Sequence, residues 1–162
     1  MHANDRGTAA PSKSRWPAWV LYTAAGYNLA WGGMVILQPD LMFKWAGMAP
    51  INYPEIWQCL GMVVGVFGIG YAIAAQDSVR HWPIVFVGLL GKFLGPVGMA
   101  RALLSGTLPR AFALTCVTND LVWWIPFGLI LWRAYQFNRR NPLGHPDYCQ
   151  DTTSSETVLP ER

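Results

Sequence analysis

The run Trp82-Pro-Ile-Val-Phe-Val-Gly-Leu-Leu-Gly-Lys92-Phe-Leu-Gly-Pro-Val-Gly-Met-Ala-Arg101-Ala-Leu-Leu104 decides the fold. It is long enough to cross a hydrocarbon layer of ~30 Å, which takes about 20 apolar residues as an α-helix. A soluble helix of that length would present charges along one face every 3.6 residues. Here Lys92 is the only charge before Arg101. Three further stretches read the same way: Pro17–Leu37, Ile56–Ala75 and Ala111–Tyr135. The prediction is an all-α integral membrane protein, a four-helix bundle whose first partner is the lipid bilayer.

Composition agrees with that class. Of 162 residues, 52% are hydrophobic, 14% aromatic and only 13% charged, against roughly 25% charged in soluble domains. A net charge of +3 without a long basic run is too small to argue for nucleic acid, and no nucleic-acid partner is expected. The pattern divides the chain into a polar cytoplasmic N-terminus (1–15), a four-span domain (16–137) and a disordered cytoplasmic tail (138–162). The first span is too long for a signal-peptide core and lacks a small-residue cleavage site, so it is expected to be retained.

Orientation follows from Lys and Arg near the span ends. Arg6, Lys13, Arg15, Arg80, Arg133, Arg139 and Arg140 fall on one side; Lys44, Arg101 and Arg110 fall on the other. Both termini of the multi-pass protein are therefore expected in the cytoplasm. In the first outer loop, Pro39 to Gly47 reads as a short interfacial helix stopped by glycine. Trp16, Trp19, Tyr22, Trp45, Tyr53, Trp57, Trp82, Trp132 and Tyr135 fall near span ends, where an aromatic belt forms.

Helices in lipid associate by close packing and polar contacts. Gly61-xxx-Gly65 and Gly91-xxx-Gly95 allow close backbone approach within the chain, and the same glycine-rich faces suit a homodimer. Two prolines lie inside spans. Pro96 removes the donor for the Lys92 carbonyl and Pro126 the donor for Val122, and a freed carbonyl at membrane depth needs a partner or a wet cavity.

Chemistry concentrates at one level. At 1.5 Å per residue, Lys92 and Asp120 both lie ~15 Å deep in antiparallel spans, with Asn119 beside Asp120 and Asn28 in the middle of the first span. An isolated charge there costs at least about 2.5–3.5 kcal/mol, so Lys92 and Asp120 are expected to pair. The pair reads either as a structural clamp or as a ligand or proton site. Gly88 and Gly95 share the Lys92 face and leave room beside it. Trp31, Trp123 and Trp124 are too deep for the belt and become candidate pocket walls, with core filling as the plain alternative.

Other signals are weaker. Gly91-Lys92 lacks the remaining positions of a phosphate loop. His2, His81 and His145 are scattered, and Cys59, Cys116 and Cys149 form neither a CxxC pair nor a metal set. No metal or cofactor is expected.

Several short runs carry a resemblance: Tyr27-Asn28-Leu29-Ala30-Trp31-Gly32, Tyr53-Pro54-Glu55-Ile56-Trp57-Gln58, Gly68-Ile-Gly-Tyr71, Arg80-His81-Trp82-Pro83-Ile84, Gly91-Lys92, and Asn119-Asp120 through Trp123-Trp124 to Pro126-Phe127. Across residues 20–137 the chain resembles small bacterial four-helix membrane proteins of uncharacterised function, DoxX-like, some carrying an alkyl hydroperoxide reductase label. The resemblance implies the fold and a bacterial plasma membrane, and implies no activity. Three functions compete on the sequence: a midplane site for a small ligand or proton, a membrane-embedded oxidoreductase on a lipid-soluble substrate, and a non-catalytic scaffold recruiting through its tail.

Overall fold

The computed structural model describes residues 15–140; the expected N-terminal segment and most of the expected tail lie outside them. Its order is α1 (Trp16–Leu37), α2 (Leu41–Trp45), α3 (Pro54–Gln76), α4 (Trp82–Leu104), a 3-10 turn (Arg110–Phe112), α5 (Ala113–Cys116), a π-helical turn (Val117–Leu121) and α6 (Val122–Arg140). The segments from Arg110 to Arg140 form one fourth span, so four helices are long and apolar enough to cross a membrane. Helix α6 continues through residues 138–140, which were expected to begin the tail.

Local chemistry sets the boundaries. Pro17, Pro54 and Pro83 stand in the first turns of α1, α3 and α4, where the missing amide hydrogen is no loss. Helices α2 and α4 stop in the same way. Gly47 and Gly106 adopt φ of +71° and +70°, and Met48 N–H donates to the Phe43 carbonyl as Thr107 N–H does to Ala102. That six-to-one closure needs a left-handed residue, which glycine supplies without a Cβ clash.

The spans form two hairpins. In the first, α1 and α3 meet backbone to backbone. A Cβ on Gly32 would stand 2.5 Å from the Gly61 carbonyl oxygen and 3.1 Å from the Gly65 nitrogen, and one on Gly68 would stand 3.0 Å from the Ala25 oxygen. The Gly61-xxx-Gly65 face is therefore used within the chain. In the second hairpin α4 packs on the fourth span, and two side-chain hydrogen bonds join them beside the Phe93–Trp124 ring contact. The shared core lies toward the α3–α4 turn, where Leu21, Ala24, Tyr71, Ala74, Val85, Phe127 and Ile130 are buried together.

At the opposite end, Phe43 of α2 packs on Trp57 and Phe112, with ring centroids 5.3 and 5.5 Å apart, and Trp57 packs on Trp31 at 5.9 Å. Trp57 is thus turned inward, not out into the belt. Trp16, Trp19, Trp45, Trp82, Trp132, Tyr22, Tyr53 and Tyr135 are exposed, as belt residues should be.

Candidate functional site

Between the two hairpins lies a cavity of about 320 Å³. All four spans line it: Asn28 and Trp31 from α1, Phe67 and Tyr71 from α3, Gly88, Lys92 and Gly95 from α4, Asn119 and Asp120 from the π-helical turn. Counting residues at a fixed rise brings four of these, Asn28, Lys92, Asn119 and Asp120, to one depth, and helical spacing adds Trp31, Gly88 and Gly95. It misses Tyr71 and Phe67, because depth says nothing about rotation around the helix axis. Tyr71 lies about one turn from the end of its span, where a tyrosine reads equally well as a belt residue.

The glycines on α4 make room for polar side chains. A Cβ on Gly88 would run into the Tyr71 ring and hydroxyl, and one on Gly95 would stand 2.9 Å from Asp120 Oδ2. Larger residues at either place would push the hydroxyl or the carboxylate out of the cavity wall.

The expected direct Lys92–Asp120 ion pair does not form. The Lys92 ammonium donates instead to the main-chain carbonyl of Asn119 at 2.5 Å and stands 5.8 Å from the centre of the Trp123 ring, within the range of a cation–π attraction. The Asp120 carboxylate accepts from Asn119 Nδ2 at 2.9 Å and from Cys116 Sγ at 3.4 Å. The cause lies in the backbone. Pro126 cannot sit in a regular helix without crowding the Val122 carbonyl, and the wide turn Val117–Leu121 ends just before Val122. Such a turn places an extra residue in the helix and rotates the side chains beyond it. A carbonyl thereby meets the ammonium where a regular helix was expected to offer the carboxylate.

The carbonyl of Lys92, deprived of its donor by Pro96, receives Trp124 Nε1–H at 3.0 Å. Trp123 and Trp124 therefore back the lysine and do not line the cavity, a correction to their assignment as walls. Lys92 is fixed at both ends, by its ammonium on Asn119 and its carbonyl under Trp124. Cys116 likewise has a polar neighbour, Asp120, in what the sequence presents as apolar surroundings.

Comparison with protein-family models, with curated proteins and with solved structures finds no match. Function must be read from the site.

Its hydrogen bonding is incomplete. Asn28 is 3% exposed, and its Oδ1 has no partner; Asn119 Oδ1 is buried and unpartnered as well. Both residues line the cavity. A buried polar atom left unpaired costs about 1–3 kcal/mol, and most such atoms in folded proteins have a partner. An ammonium has three donors, and Lys92 makes one hydrogen bond. One polar tie crosses between the hairpins nearby: the Tyr27 hydroxyl donates to Thr118 Oγ1 at 3.1 Å.

Proposed function

We infer that this multi-pass membrane protein holds a small ligand in the chamber between its hairpins, at the depth of Lys92 and Asp120. The observation that carries this reading is Asn28, an almost wholly buried amide with an unpartnered oxygen on the wall of a mostly apolar cavity. A clamp between helices would close its charges on each other and fill its hydrogen bonds. Lys92 and Asp120 bond to other groups instead of to each other, the Asn28 and Asn119 oxygens are unpartnered, and a guest that donates to those oxygens and accepts from Lys92 would complete the set. The distribution of Lys and Arg supports both termini in the cytoplasm, and the DoxX-like resemblance supports a bacterial plasma membrane.

The test is Asn28→Leu. In ligand-stripped protein the substitution removes an unpaired amide, so thermal unfolding should shift upward by about 1 kcal/mol. In protein purified gently from membranes, small molecules extracted by solvent and weighed by mass spectrometry should fall at least about tenfold, the effect of losing roughly 1.4 kcal/mol of binding. A destabilised variant that retains the same molecules as the parent would show that Asn28 serves the fold alone, and the reading fails.

A further inference from the structure

The chamber is closed at both ends and open at one side. Toward the α3–α4 turn it is stopped by the packed core around Leu21, Val85 and Phe127, each essentially unexposed. Toward the opposite membrane face it is stopped by the rings of Trp31, Trp57, Phe43 and Phe112.

The side is different. Among the lining residues, Leu60 and Val63 of α3 are 43% and 52% exposed, and Gly91 and Gly95 of α4 are exposed as well. These stand on the perimeter of the bundle, where a membrane span faces lipid. Helices α3 and α4 touch near their turn: a Cβ on Gly70 would stand 3.2 Å from Ile84 Cγ2. Further along they part, and a Cβ on Gly91 or Gly98 would meet nothing within 4 Å. No side chain at Gly91 bars the gap.

The polar complement inside is balanced. One ammonium and one carboxylate share the chamber, so an anionic guest meets Asp120 and a cationic guest meets Lys92, each at a depth where unpaired charge is expensive. The unmet needs are an acceptor for Lys92 and donors for the Asn28 and Asn119 oxygens. A group that both donates and accepts, such as a hydroxyl or an amide, answers them without charge. At about 320 Å³ the chamber is at the small end of the roughly 300–1,000 Å³ typical of ligand pockets. It encloses a head and leaves an apolar body between Leu60, Val63 and the lipid.

We propose that the ligand is an uncharged amphiphile, with a head that both donates and accepts hydrogen bonds, and that it enters sideways from the bilayer between α3 and α4. This rests on the chamber being a ligand site at all, and the experiment separates the two. The full-length protein in lipid vesicles is photolabelled with three diazirine probes of one alkyl chain, ending in a hydroxyl, a carboxylate or an amine, at neutral pH. Labelled peptides are then mapped by mass spectrometry.

The alcohol should label residues 60–71 and 88–95 at least about fivefold more than the acid or the amine does. Gly91→Trp and Val63→Trp, which put bulk in the opening, should each cut that labelling about fivefold. Gly26→Trp, on an exposed part of α1 with open space around it, should leave it unchanged. Preference for the acid or the amine overturns the neutral head. Full labelling in both plugged variants, with Gly26→Trp equal to them, overturns the sideways route. If no probe labels the chamber above the lipid-facing surface, the ligand site itself is refuted.

Discussion

The two hairpins are built by opposite means. Helices α1 and α3 touch through glycine, main chain on main chain, with Gly32 against Gly61 and Gly68 against Ala25. Helix α4 and the fourth span are joined by polar bonds between groups that a regular helix would have used internally: Lys92 to the Asn119 carbonyl, Trp124 to the Lys92 carbonyl. The first hairpin adds one side-chain bond near its end, from Gln58 Nε2 to the Ile36 carbonyl at 2.8 Å, to that backbone contact. The second cannot do without polar bonds, since proline and a π-helical turn have left its carbonyls exposed at membrane depth. A chamber with unfilled polar valence arises along the side of the second hairpin, and the first supplies a stiff wall.

This contrast can be broken most violently at Gly32. Gly32→Val drives side-chain atoms into the α3 main chain, which has no flexible end to swing away. A loss of about 3 kcal/mol, the upper range of overpacking, is expected in reversible unfolding from detergent micelles. Gly65→Ala on the same contact adds a Cβ with nothing within 4 Å and should stay within about 0.5 kcal/mol. Equal effects at the two positions would show that backbone proximity does not organise this hairpin.

The second hairpin should yield to a double-mutant cycle. Trp124→Phe keeps the ring and removes the donor to the Lys92 carbonyl, at about 1 kcal/mol, between the membrane average for such bonds and the penalty for an orphaned carbonyl. Pro96→Ala restores a backbone N–H to that carbonyl. In the Pro96→Ala background the Trp124→Phe cost should fall by at least half. Additive effects would mean that the indole bond and the proline are unrelated.

A smaller effect than either of the main-chain and indole changes is expected at Gly95. A Cβ there stands 2.9 Å from the end of the Asp120 side chain, which can rotate, so Gly95→Ala should cost less than about 1 kcal/mol. The moved carboxylate should loosen the Cys116 hydrogen bond. The S–H stretching band of Cys116, observed by infrared difference against Cys116→Ala, should shift toward the frequency of a free thiol; an unmoved band would show that Gly95 makes no room for Asp120.

Much of this was legible in the residues because a bilayer limits the choices. Span length and the scarcity of charge fixed the class, and a constant rise per residue placed Asn28, Lys92, Asn119 and Asp120 at one level. The missing donor at Pro96 announced that the Lys92 carbonyl needed a partner. Rotation was not legible. A short apolar span looks alike from every side, so nothing marked Tyr71 as facing the Gly88 notch or Trp57 as turning inward. The π-helical turn was hidden too: Pro126 signals that the ladder must give way, not in which direction. The expected ion pair was lost to that one re-aimed turn.

Neither hairpin alone contains the chamber: Asn28 and Tyr71 belong to one half, Lys92 and Asp120 to the other. A guest can therefore occupy it only after the halves have come together, and occupancy subtracts from the assembled state's tendency to come apart, by RT ln(1 + [L]/Kd). Across the seam the Tyr27–Thr118 hydrogen bond joins residues 91 positions apart. Added to the apolar core that the halves share near the α3–α4 turn, the proposed guest would act as a rivet.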